Sequence, residues 1–262
     1  MTKGVLTKLT TCSLMLTSIL SASFSVDASI RQGAEFVAPF SDKVVKVNGA
    51  ADDDIWQRGT WYPLFENMIK GEVDEKDFSG QFKLAWDQEH LYILVEITDD
   101  VLFDQHADPL HFYWDDDCLE IFIDEAKSGG DHLYNYNAFA YHVALDNQSV
   151  DIGEKTKSDV EPFILLNDHV NSVWKRSSAK PNKIIWEVAV KIFDDKFKPD
   201  MDHQPVKLTV GKELGFMLAY CDNDGSVNRE SFVGSTEIIP VGGDKNLGYK
   251  TADVFASLTL AK

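Results

Sequence analysis

The sequence predicts an all-β protein: a jelly-roll-like β-sandwich forming one domain behind an N-terminal leader. Three observations predict it. Apolar and polar residues alternate with a period of two in segment after segment, the periodicity of half-buried strands. Helical spacing is nearly absent, with a single turn of it at residues 50–58 (AADDDIWQR). No repeat, low-complexity block or Pro/Gly/Ser linker divides residues 29–262, so many short strands must share one core.

The leader comes first in the chain. Lys3 and Lys8 precede an apolar and small-residue run from Leu9 to Val26, followed by Val26-Asp27-Ala28. This is a signal peptide pattern over residues 1–28, cut after Ala28. Lipid attachment at Cys12 is a rival reading, although Cys12 sits inside the apolar run rather than after it. No later stretch approaches the roughly 20 apolar residues that a spanning helix needs. The expectation is an exported protein, periplasmic or extracellular, with no membrane insertion.

The strands follow in order: residues 80–87 (GQFKLAWD), 90–98 (HLYILVEIT), 119–124, 138–145 (AFAYHVAL), 184–192 and 214–222. Side chains on a strand point alternately to its two faces. Leu119, Ile121 and Ile123 therefore share a core face, leaving Cys118, Glu120, Phe122 and Asp124 on the other. Phe139, Tyr141, Val143 and Leu145 face inward, leaving Ala138, Ala140, His142 and Ala144. Phe216, Leu218 and Tyr220 do the same and leave Gly215, Met217, Ala219 and Cys221. Three strands thus offer a second face of small residues and isolated polar groups, either a shallow binding surface or a face covered by loops. Trp86 and Trp186, on alternating strands, are expected in the core.

Charge narrows the partners. The net charge of −18 becomes −19 once Lys3, Lys8 and Asp27 leave with the leader. No basic patch exists to neutralise phosphate or sulfate, which argues against nucleic acid, anionic lipid and polyanionic sugars.

Chemistry is less marked. Glycoside hydrolysis needs two carboxyls about 5 to 10 Å apart, and acids are so abundant that such a pair arises by chance. A hydrolase using Glu120 and an aspartate is the alternative from the enzyme class, while Asp115, Asp116 and Asp117 read as solvated acids leading into a strand. No Gly-X-Ser-X-Gly elbow is present, and no paired Cys or His motif points to zinc. Calcium fits better, because loops such as Asp99-Asp100, Asp104 to Asp108 and Asp222-Asn223-Asp224-Gly225 supply oxygen ligands. Asp99, Asp104 and Asp108 are the candidate ligands of a structural calcium, against ordinary turn chemistry. Trp114 either packs in its loop or stacks on a sugar ring beside Glu120, whose parity it shares. Two cysteines remain after the leader, and a Cys118–Cys221 disulfide requires that their strands be neighbours; two buried free thiols are the alternative.

A series of short motifs, in order, carries a resemblance. NGAADDDIW (48–56), AWDQEHLY (85–92), Thr98-Asp99, WDDDCLEIFID (114–124) and Asp222-Asn223-Asp224 before Arg229 resemble the family 9 carbohydrate-binding modules over about residues 44–260. The resemblance implies a sandwich that binds sugars without cleaving them, often with structural calcium, serving polysaccharide utilisation. Two aromatic rings would clamp the sugar while polar side chains bond its hydroxyls. By position, Trp114 would be one ring, Glu120 the hydroxyl acceptor, and Asn246-Leu247-Gly248-Tyr249 would supply the second ring, Tyr249 standing where the family has Trp. Asn246 and His142 complete the expected sugar site. Ala140, His142 and Ala219 stand where the family can offer polar contacts. Related haem-binding modules use the same sandwich, and Met217 with His142 would be the iron ligands in that alternative.

Overall fold

Alternation becomes sheet in every segment that shows it. The computed structural model describes Met1, residues 35–157 and residues 160–262; the rest of the expected leader, its cut after Ala28 and Cys12 lie outside the described residues. The strands are β1 (Glu35–Ala38), β2 (Tyr62–Leu64), β3 (Glu66–Asn67), β4 (Phe78–Trp86), β5 (Leu91–Asp99), β6 (Cys118–Asp124), β7 (Phe139–Ala144), β8 (Ser149–Ile152), β9 (Phe163–Leu165), β10 (Val170–Arg176), β11 (Lys183–Val190), β12 (Glu213–Asp222), β13 (Ser231–Gly234) and β14 (Ala256–Leu260). One sheet runs β1-β14-β12-β6-β7-β8-β9, with β13 and β3 continuing from β12; the other runs β10-β11-β5-β4-β2. All named pairings are antiparallel except β1 with β14. The molecule is a β-sandwich, and no helix among the described residues is long and apolar enough to cross a membrane.

The core between the sheets takes the inward parity of each strand. Leu119, Ile121, Ile123, Phe139, Tyr141, Val143, Phe216, Leu218 and Tyr220 meet Phe82, Trp86, Val95, Trp186 and Val188 from the facing sheet. Both tryptophans are buried, and each finds an acceptor for its indole N–H: Ala261 O at 2.7 Å for Trp86 and Ser172 Oγ at 2.5 Å for Trp186. Phe78 of one sheet stacks on Tyr220 of the other with centroids 5.2 Å apart. Fully burying side chains of this size is worth about 1.5–3 kcal/mol each, so the sheet pair is held chiefly from within.

The expected helical turn at 50–58 is a short 3-10 turn, Asp54–Gln57, whose preceding Asp53 makes no side-chain cap bond. Tertiary bonds fix it instead. Glu187, on the outer face of β11 and 0% exposed, accepts at Oε2 from the amides of Asn48 (2.9 Å), Gly49 (2.8 Å) and Ala50 (3.3 Å), and at Oε1 from Trp56 Nε1 (2.9 Å). Gly49 has φ +68°, the left-handed conformation glycine adopts without cost. Ile55 and Trp56 thereby cover Ala85, Tyr92, Leu94 and Ala189. Replacing Glu187 by Ala leaves several buried N–H groups without acceptors, and is expected to cost roughly 3 kcal/mol or more. Urea unfolding checks this: the midpoint should drop with an unchanged slope, and an unmoved midpoint would show that the 48–56 loop is held by other contacts.

Candidate binding cleft

The outer face of the larger sheet is both covered and open. Over Cys118, Phe122, Ala140, Met217, Ala219 and Cys221, Phe232 of β13 joins Met68, Ile238 and Leu247 from loops to form a second apolar cluster. Beside this cover a cleft of about 360 Å³ remains, with Glu120 and His142 among its lining residues. That volume lies in the range of small-ligand sites.

Glu120 sits on its floor, 2% exposed. Its Oε1 meets His142 Nε2 at 2.6 Å and accepts from Arg229 Nη1 at 3.1 Å and the Cys221 thiol at 3.0 Å. Burial pushes the pKa of this carboxyl up, but His142, Arg229 and the Cys221 bond outweigh it and hold it below the ordinary value. The group is therefore a carboxylate and not a proton donor. Among the described residues all three contacts go to Oε1, which leaves Oε2 for the cleft. Arg229 is aimed by its own amide, which donates to Asp115 Oδ1 (3.1 Å), and by the ring of Phe232, 4.1 Å from its guanidinium carbon.

Aromatic walls rise from this floor. Trp114 sits in a 3-10 turn, Tyr113–Asp115, entered through Phe112 at φ +49°. Tyr113 is buried edge-on against His142 (4.5 Å between centroids) and Phe163 (5.1 Å), and Trp114, half-buried, packs at 5.8 Å from Phe163. The Asn246 to Tyr249 loop also lines the cleft; in it Leu247 and Gly248 are buried and Asn246 and Tyr249 stay half-exposed. A Cβ on Gly248 would stand 2.7 Å from Met217 Cε and 2.8 Å from Phe122 Cε1, so only glycine lets the loop lie this close to the sheet. Its carbonyl is 2.7 Å from His132 Nε2.

All five residues expected at the sugar site, Trp114, Glu120, His142, Asn246 and Tyr249, line this one cleft. Sequence reading missed Tyr134 and Glu161, joined by bonds of 3.0 and 3.1 Å from the Tyr134 hydroxyl, along with Phe163. Arg229 was visible within the motif series but unassigned. Ala140 and Ala219 lie under the second cluster and supply no polar group; Arg229 brings one from the β12–β13 turn. Met217 packs against Phe122 and Gly248 within the second apolar cluster, whereas His142 bonds Glu120 in the cleft, so the two do not face one iron site.

A model of the family described as "Carbohydrate family 9 binding domain-like" matches residues 47–262. The chain belongs to that family. Two family 9 modules from Caldicellulosiruptor kristjanssonii, solved with cellotriose and with glucose, are similar in fold: TM-scores 0.60 and 0.59, identities 19% and 18%, covering 87% of this chain and 94% and 97% of theirs. A stretch of 73 residues is 36% identical to part of endo-1,4-beta-xylanase A of Thermotoga neapolitana, 28% of this chain but 6% of that enzyme's length.

The acids of this family 9 domain depart from expectation. Asp115, Asp116 and Asp117 are buried, because distant loops need acceptors: Asp117 binds the amides of Phe103 (2.7 Å) and Asn223 (2.8 Å), and Asp116 those of Gln105 (2.9 Å) and His106 (3.0 Å). Of the candidate calcium ligands, Asp99 lies with Asp222 and Asp224, one ligand atom from each within 4.8 Å of the others; Asp77, Asp100 and Asp224 form a second such group. Asp104 and Asp108 belong to neither. Asp108 caps its own turn through Leu110 N (3.0 Å), and Asp104 faces Asp116 and Asp146. Asp99 accepts from Tyr220 at 2.8 Å through Oδ2, while its buried Oδ1 has no partner among the described residues. Burial, followed by the neighbouring carboxylates, pushes Asp99 and Asp224 to about 6, Asp222 to about 7 and Asp117 to about 9.

Each of these carboxyls holds its proton more tightly folded than unfolded, where the value is 3.8. Their contribution to stability is therefore complete below that value and is lost as pH rises through the folded values. His90, His132 and His169, shifted down, are neutral in both states above pH about 6.5. Between pH about 7 and about 8.5 the thermal midpoint in chelator is accordingly expected to fall, and Asp222→Asn should flatten the decline; a midpoint that rises over this window would contradict the assignment.

Proposed function

We propose that this protein is an exported, non-catalytic sugar-binding module that serves polysaccharide utilisation, gripping a pyranose between Trp114 and Tyr249 with Glu120 beneath it. The observation that carries this reading is that two half-exposed rings line one cleft together with a carboxylate that is kept ionised and has one oxygen left free of the contacts at its floor. A ring face accepts the apolar side of a sugar, and the carboxylate accepts from hydroxyls, with the Arg229 guanidinium and Asn246 at hand for further bonds. The cellotriose and glucose held by the Caldicellulosiruptor modules support β-gluco-oligosaccharides as the first ligands to test. The ionised state of Glu120 speaks against its use as the proton donor of a hydrolase. Calcium at Asp99, Asp222 and Asp224 fits the orphaned, buried oxygen of Asp99 and the mutual repulsion of the three carboxyls, which a divalent ion would relieve.

Titration calorimetry with glucose and cello-oligosaccharides tests the grip. Trp114→Ala and Tyr249→Ala are each expected to weaken binding by about 1–3 kcal/mol, while Tyr249→Phe keeps most of it; affinities unchanged by both alanines would remove the rings from the site. Incubation with the same sugars should release no new reducing ends.

For the metal, calcium added to chelator-treated protein should raise the melting temperature by mass action. The Asp99→Asn variant should lose that response, and a rise of equal size in the variant would place the ion elsewhere.

A further inference from the structure

Two side chains beside Glu120 lie under the second apolar cluster and do not line the cleft. Cys118 and Cys221 are partners across the β6–β12 ladder, both buried and both free thiols. One rung further on the same face, Glu120 is the partner of His142 across β6–β7. Two successive same-face rungs on three adjacent strands thus bring four donors together, and one ligand atom from each of Cys118, Glu120, His142 and Cys221 lies within 4.8 Å of all the others. The four residues are 1%, 2%, 7% and 0% exposed.

We propose that this quartet is a binding site for one zinc-type divalent cation, seated beneath the cleft. Two sulfurs, an imidazole nitrogen and a carboxylate oxygen form the mixed donor set that tetrahedral zinc takes, and one that calcium and magnesium, which want oxygen, do not. The charges also close. Without metal, Glu120 is neutralised by Arg229, and burial keeps both thiols protonated, raising each above its ordinary value. On binding, the two thiols release two protons to solvent and two metal–sulfur bonds form, with no change of oxidation state. Two thiolates and one carboxylate then face the divalent ion and the Arg229 guanidinium, and the sum is zero. Arg229 is already placed to donate to the sulfur, with Nη1 3.0 Å from Cys221 Sγ, the kind of outer bond that orients and steadies a metal ligand. Asp151, near His142 and Glu120 and held by the amides of Ala140 and Ile152, adds to the negative field. The inference does not need the sugar reading, since the donors meet whether or not the cleft takes a sugar.

The test uses the full chain, reduced with a phosphine, stripped by chelator and shown by thiol titration to carry both thiols free. Cobalt(II) is the probe. One equivalent should produce a thiolate-to-cobalt charge-transfer band and the intense visible bands of a tetrahedral ion, both bleached by zinc, and zinc loading should release two protons per ion. The Cys118→Ser/Cys221→Ser double variant should lose the charge-transfer band and bind zinc at least about tenfold more weakly in chelator competition. His142→Gln, which leaves the thiols in place, should keep the charge-transfer band while its visible bands change and its zinc affinity falls. If the double variant does not fold, the spectrum of the unaltered protein and of His142→Gln decide. Absence of a charge-transfer band with both thiols free overturns the site, as does zinc affinity untouched by either variant.

Discussion

A carboxylate cut off from water has to find donors in the protein around it, and two glutamates impose that constraint on the two outer faces of this sandwich. Glu187 sits on the outside of the smaller sheet and Glu120 on the outside of the larger one, each almost completely buried. Neither could be buried by the sheets alone, which cover only their inner faces. Each is satisfied by segments remote in sequence: residues 48–56 close over Glu187, and Arg229 reaches Glu120 across 109 positions. Burying a charge unpaired is costly enough to dictate where loops go. Each of these outer faces also carries an apolar cluster beneath its covering segments.

The two glutamates differ in what remains after they are satisfied. Both oxygens of Glu187 are occupied, by three amides and an indole, and the residue is a structural anchor. Glu120 concentrates its contacts on one oxygen and lines an opening. That asymmetry separates a fastening from a site in this family 9 domain, although the residue type, the burial and the strand position are alike. The acids around the start of β6 and the end of β5 follow the same logic: Asp117 is bonded at both oxygens, whereas Asp99 has one bond to Tyr220 and, among the described residues, one oxygen unclaimed.

What sequence reading could see follows from the range over which each signal acts. Parity along a strand is local, so the inward faces of β6, β7 and β12 and the burial of Trp86 and Trp186 were legible from alternation alone. The meeting of Trp114, Glu120, His142, Asn246 and Tyr249 was legible only through the motif series, because no local pattern links residues 114 and 249. Asp115, Asp116 and Asp117 were misread as solvated because the amides that bury them, at 103–106 and 223, come from elsewhere in the chain. Tyr134 and Glu161 sit in irregular segments with no period to mark them. The quartet of Cys118, Glu120, His142 and Cys221 has no recognisable metal spacing, since three strands contribute to it and only the ladder register brings them together. Asp99 and Tyr220 belong to different sheets, and alternation within a strand says nothing of what faces it across the core.

Gly248 has a consequence for how the cleft meets a ligand. With Met217 and Phe122 too close to admit even a methyl group, the backbone beneath the Tyr249 ring rests directly on the sheet and has little freedom to tilt. The placement of the Tyr249 side of the cleft is then set when the chain folds, before any ligand arrives. The ordering entropy that a mobile loop would lose on contact is lost at folding instead.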